Sequence, residues 1–143
     1  MSSNNGRPIL EDVNVIVAGQ GGDGSLTVIT MLAELLRTNG LNVYTERDVL
    51  SRIRGGHAAA TMRAFTGDRY CIGSNINLMV ALDEEAVEKN ARQLDSKSIV
   101  VYDDSGGPIP PVLPEGTKVY SAPFNRIAMR TMRRELYKNS IAF

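Results

Sequence analysis

Val13-Asn14-Val15-Ile16-Val17-Ala18 runs straight into Gly19-Gln20-Gly21-Gly22-Asp23-Gly24-Ser25, and no other junction constrains the fold of this chain as tightly. The first stretch is β-branched and apolar, which marks a strand buried on both faces. The glycines mark a turn that needs positive φ or a close approach of another group to the backbone. From residue 25 to 39 the apolar residues recur with helical spacing, and Gly40 follows as the stop. A strand, a glycine turn and a helix in that order open an α/β fold. Leu26, Val28, Ile29, Met31, Leu32, Leu35 and Leu36 spread over most of the helix surface, so burial on more than one side is expected.

The remaining segments continue the alternation. Residues 41–45 read as a second strand, followed by a charged loop over 46–56. Residues 58–65 and 70–72 flank Thr66-Gly67-Asp68-Arg69, a hairpin signal with Gly67 in the turn. Cys71 is then expected to be a small buried residue in or near a strand. Residues 76–82 form an apolar strand, and Asp83-Glu84-Glu85 caps the helix after it, with Lys89 and Arg92 farther along. Residues 98–102 and 118–121 read as strands, separated by a loop over 105–116 that holds four of the six prolines. Residues 123–138 form a last amphipathic helix, with Ala128, Met132 and Leu136 on one face. The expected architecture is a three-layer α/β/α sandwich on a mostly parallel, mixed sheet, with a Rossmann-like first βαβ unit. Residues 1–12 read as a flexible N-terminal segment and 13–143 as a single domain.

Composition removes several function classes. The chain has 143 residues, enough for one core without disulfides or metals. Sixteen Lys and Arg balance sixteen Asp and Glu, so no global field draws nucleic acid or an anionic membrane. A single cysteine and the lack of a membrane-length apolar run or a signal-like leader point to the cytoplasm. One His and one Cys supply neither a zinc site nor the clustered thiolates of an iron–sulfur motif.

Two segments carry the candidate chemistry. Gly19, Gly21 and Gly24 satisfy the dinucleotide pattern G-x-G-x-x-G, and the N–H groups that open the helix at Ser25 suit a phosphate or carboxylate. A tight turn with no ligand explains the same residues, and Asp23 opposes an anion placed directly over them. The second segment is Ser51-Arg52-Ile53-Arg54-Gly55-Gly56-His57. Between residues 47 and 63 four arginines face one acid, Asp48, a local basic site in a neutral protein. Guanidinium forks beside a double glycine can hold a carboxylate or phosphate. A solvated loop is the plainer reading, and His57 has no Ser or Cys nucleophile beside it.

The turn VNVIVAGQGGDGS, the loop SRIRGGH and the unit INLMVALDEEAV together resemble the gamma subunits of pyruvate- and 2-oxoglutarate:ferredoxin oxidoreductases. The resemblance covers about residues 13 to 139. Asp23 stands where that family commonly has Gln, and Asn77 lies near a position that is often Asp. The end of the chain, KNSIAF, resembles the start of a further family segment, so the domain is expected to be truncated or separately encoded. The resemblance implies a complex that cleaves a 2-oxoacid oxidatively with coenzyme A, giving acyl-CoA, carbon dioxide and reduced ferredoxin. Thiamine diphosphate, magnesium and the iron–sulfur clusters are then carried by other domains, and alpha and beta subunits are the partners. Gly21, Gly22, Gly24, Ser25, Arg52, Arg54, Gly55, Gly56 and His57 are expected to face the coenzyme A side or the subunit interface. No residue of this chain is expected to be a catalyst or a metal ligand.

Two other readings stay open. Glu46 follows Gly24 at about the spacing of a ribose-binding acid, which fits a stand-alone dinucleotide-binding Rossmann domain. A purely structural interaction module would use the same turn and loop for protein contacts alone.

Overall fold

The computed structural model describes residues 11–49 and 56–132. They form one six-stranded sheet covered by helices on both faces. In chain order the elements are β1 (Asp12–Gln20), α1 (Ser25–Thr38), β2 (Asn42–Val49), β3 (His57–Phe65), β4 (Leu78–Ala81), α2 (Glu84–Asn90), β5 (Ile99–Asp103), β6 (Lys118–Ala122) and α3 (Phe124–Met132). A 3-10 turn, Ala91–Gln93, extends α2. The sheet order is β2-β3-β1-β4-β5-β6. β1, β4, β5 and β6 are parallel, and β3 runs antiparallel to both its neighbours, β1 and β2. The expected mixed, mostly parallel three-layer architecture is present. Its first βαβ unit is split: β2 runs in the same direction as β1, but β3 lies between them.

β1 is central because both its faces are apolar. Ile16 and Ala18 pack with Met79, Ala86, Val87, Val100 and Tyr102 under α2. Val15 and Val17 pack on the other face with Val28, Ile29 and Ala33 of α1 and Phe124 of α3. Period-two alternation in a strand covered on both sides produces this continuous apolar run. α1 departs from its expected burial on several sides. Val28, Ile29 and Ala33 are buried, whereas Met31 is 42% and Leu35 50% exposed. One face of the helix serves the core; the other is bare.

The hairpin is also placed differently. β3 pairs back to β2 over residues 58–65, so β2 continues through Glu46, Arg47 and Asp48, where a loop was expected. Residues 70–72 form no strand. The reason is edge occupancy: β1 takes one edge of β3 and β2 the other, leaving none for a third strand. Gly67 does turn the chain, with φ of +75°, but the chain then crosses the end of the sheet. There Asn14 Oδ1 accepts from Gly73 N–H at 3.2 Å. A Cβ on Gly73 would press on the Asn14 side chain, which would have to shift to admit it. Cys71 rides on this excursion and is exposed, not buried.

Helix α2 starts as expected, with the Asp83 side chain accepting from Ala86 N–H at 2.7 Å and Lys89 bridging to Glu85 at 2.6 Å. The proline-containing loop contains no strand or helix and tucks Ile109 and Leu113 against the core. Ala128 of α3 is fully buried; Leu136 and the end of the expected helix lie outside the described residues.

Candidate functional site

The C-terminal ends of β1, β4 and β5 and the first residue of β3 gather at one end of the sheet. Open α/β sheets bind ligands at this end. The glycine turn closes it. Gly21 N–H donates to Gly56 O at 2.6 Å, and a Cβ on Gly21 would approach that oxygen to 3.1 Å. The two glycine-bearing segments singled out from distant parts of the chain therefore meet, one step beyond the Gln20–His57 pair of the β1–β3 ladder. Gly22 has φ of +97°, and Gly24, the residue that caps α1, has φ of +83°. Both are left-handed conformations that a side chain would strain. Gly19 is needed for closeness: a Cβ there would lie 2.9 Å from that of Leu82. Ser25 is 3% exposed beneath the first turn of α1.

Asp23 has an internal role. Its Oδ2 accepts from Gln20 N–H at 3.1 Å, while its own N–H donates to Gln20 O at 3.0 Å. The carboxylate thus ties the glycine turn to itself.

His57 is 4% exposed, and its Nδ1 has no hydrogen-bond partner among the described residues. Asp83, at the end of β4, is the residue that sequence reasoning overlooked. It was legible as a helix cap, and its Oδ1 does cap α2; its buried Oδ2 has no partner among the described residues. Burial raises its pKa, the carboxylates of Asp23 and Glu85 add to the rise, and the Ala86 N–H and His57 oppose it. An orphaned buried polar atom costs about 1–3 kcal/mol. His57 Nδ1, at the start of β3, and Asp83 Oδ2, beyond the end of β4, are two such atoms at this end of the sheet among the described residues. Only the β1–β4 adjacency brings Asp83 here, a long-range pairing that no local pattern reports.

Beside these groups lies a cleft of about 460 Å³ walled by Gln20, Asp83, Glu84, Glu85, Tyr102 and Asp103. Its described wall is acidic and does not fit a phosphate. Arg52, Arg54 and Gly55 lie outside the described residues, so the cationic part of the candidate site does too. No group of His, Cys, Asp and Glu among the described residues is arranged to hold a metal ion. No described helix is long and apolar enough to cross a membrane.

Comparison with known proteins agrees with this architecture. Residues 14–143 match the family model for pyruvate ferredoxin/flavodoxin oxidoreductase. The 2-oxoglutarate synthase subunit KorC of Archaeoglobus fulgidus is 26% identical over 132 residues, which are 92% of this chain and 67% of that protein. The 2-oxoglutarate:ferredoxin oxidoreductase of Magnetococcus marinus, solved with 2-oxoglutarate, coenzyme A and succinyl-CoA bound, superposes with a TM-score of 0.84 at 32% identity. That match covers 94% of this chain and only 23% of the Magnetococcus chain. The gamma subunit of a keto/oxoacid ferredoxin oxidoreductase from Geobacter sulfurreducens has the same fold, with a TM-score of 0.76 at 19% identity, over 91% of this chain and 72% of that one. The chain belongs to the pyruvate ferredoxin/flavodoxin oxidoreductase family.

Proposed function

We propose that this chain is the gamma-type component of a cytoplasmic 2-oxoacid:ferredoxin oxidoreductase. In that complex a 2-oxoacid is oxidatively decarboxylated to acyl-CoA. Thiamine diphosphate, magnesium and iron–sulfur clusters belong to the alpha and beta subunits or domains, and ferredoxin meets the complex as a whole. This domain shapes the coenzyme A side of the site and the subunit interface. It contributes the turn at Gly21, Gly22 and Gly24 and the loop from Arg52 to His57. The observation that carries the reading is the Gly21–Gly56 junction, next to the buried His57 whose Nδ1 has no hydrogen-bond partner among the described residues, in a chain matched by the family over residues 14–143.

Electrostatics divide the roles. Asp23 occupies the glycine turn and the adjoining wall carries Asp83, Glu84, Glu85 and Asp103. A phosphate at this end would be repelled by that wall, so it requires the guanidinium groups of Arg52 and Arg54. The glycines serve by letting Gly56 lie close against the end of β1. Replacing Arg52 and Arg54 with Ala in the assembled complex tests this. The expected outcome is a KM for coenzyme A raised about tenfold or more, the loss of one or two charge-assisted contacts, with the KM for the 2-oxoacid little changed. Unchanged coenzyme A kinetics with weakened assembly would make the arginines an interface device, the structural-module reading. No change in either would remove both roles.

A further inference from the structure

The opposite end of the sheet carries a second surface that the proposed function does not use. β1 separates the two ends by eight residue steps, about 26 Å at the usual strand rise. Here the turn after β3 projects Tyr70, which is 88% exposed, beside Arg69. An open cleft of about 510 Å³ lies between this turn and the end of α1, with Arg37 on its far wall and Val43, Tyr44 and Phe65 along its base. The rings of Tyr44 and Phe65 stack at 5.4 Å.

This surface is held firmly. Arg63 donates from Nε to Asp12 Oδ1 at 2.8 Å, from Nη2 to Asp12 Oδ2, and from Nη1 to the carbonyl of Cys71 at 2.6 Å. Asn42 Nδ2 donates to Gly67 O at 3.1 Å, and Thr66 N–H to Glu11 O at 3.0 Å. The turn is thus anchored to β1, β2 and β3, and Tyr70 is presented on a fixed support. Presenting a large aromatic to water from an ordered backbone is what a protein interface uses, since little ordering entropy remains for binding to overcome.

The chemistry of the occupant follows from the walls. Both oxygens of Asp12 are taken by Arg63, and Arg69 Nε stands 3.6 Å from one of them, so Asp12 does not neutralise both arginines. Asp68 supplies the one carboxylate among the described lining residues, against Arg37 and Arg69. The cleft therefore favours a carboxylate, with an apolar neighbour to cover the Tyr44–Phe65 base. A small molecule does not suit it, because small-ligand sites enclose most of their ligand and here the principal aromatic is 88% exposed. Tyr and Arg are the residues that most often anchor protein interfaces.

We infer that Tyr70, Arg69 and Arg37 form a docking surface for an acidic segment of another subunit of the complex, separate from the coenzyme A end. The inference rests on the multisubunit reading above. The experiment is made on the assembled complex, with Tyr70→Ala, Arg37→Glu and, separately, a photo-cross-linking phenylalanine analogue placed at position 70. Tyr70→Ala is expected to weaken subunit retention roughly tenfold or more, with the melting temperature of the purified subunit unchanged, since the side chain is exposed. Arg37→Glu is expected to weaken retention and to flatten its salt dependence. The cross-link is expected on a carboxylate-bearing segment of a different subunit. If the wild-type chain assembles and the variants assemble equally well, the docking surface is refuted. A cross-link only to a second copy of this chain, or only to ferredoxin, also refutes it. If the wild-type chain joins no other subunit, the proposed function fails first.

Discussion

Asp12 and Asp83 carry opposite electrostatic burdens, and the difference decides how each responds to pH. Asp12 is held below the ordinary carboxyl value, chiefly by the Arg63 hydrogen bonds. Its contribution to stability is complete above 3.8 and is lost as pH falls through the depressed folded value. Asp83 is shifted upward by burial. The folded state holds its proton more tightly than the unfolded chain does, so its contribution is complete below 3.8 and is lost as pH rises through the raised value. Asp83→Asn keeps an acceptor for the Ala86 N–H while removing the charge. That variant is expected to equal or exceed the wild type in urea midpoint at pH 7, with the advantage shrinking toward pH 4. Asp83→Ala loses the cap as well and is expected to cost about 1 kcal/mol. An Asn variant less stable than the wild type at pH 7 would mean that the ionised carboxylate has a partner it needs.

At the scale of elements, α1 shows the difference between apolar composition and burial. Ile29 is 3% exposed in the layer between α1 and the sheet, and Leu35 is 50% exposed on the other face. Ile29→Ala is expected to lower stability by about 3 kcal/mol, the usual cost of truncating a core aliphatic. Leu35→Ala is expected to change it by less than about 0.5 kcal/mol. Denaturant unfolding of the two variants checks both numbers, and a large loss at Leu35 would place that side chain in a core. The strand β1, its glycine turn, α1 and the Asp83 cap were legible because their signals are local: β-branching, positive-φ positions, 3.6-residue spacing and a capping acid. Edge occupancy was not. Whether residues 70–72 could become a strand depended on β2 having already claimed the free edge of β3, and Cys71 became exposed for the same reason. Likewise the Gly21–Gly56 contact joined two segments whose chemistry could be read separately, while Asp83 entered the site only through the pairing of β1 with β4.

For the whole molecule, the position of β3 argues against a Rossmann-type dinucleotide-binding domain. In a Rossmann unit the strand after the first helix lies beside β1, which brings its terminal acid to the ribose of a nucleotide on the glycine turn. Here β3 occupies that place, and Glu46 on β2, paired with Thr61 of β3, is displaced by two strand spacings, about 10 Å, from β1. The spacing of Glu46 from Gly24 in sequence is right, and its position in space is wrong. The glycine turn meets Gly56 O and Asp23 in the region where a pyrophosphate would need free N–H groups, and the neighbouring wall is acidic. Calorimetric titration of the purified chain with NAD is therefore expected to show no binding in the micromolar range. A micromolar Kd would require the turn to open away from β3, and Gly21→Ala, which presses on Gly56 O, would then strengthen binding. With the turn closed as observed, the same substitution is expected to leave NAD binding undetectable, and its effect on coenzyme A kinetics in the complex tests the role proposed for the turn.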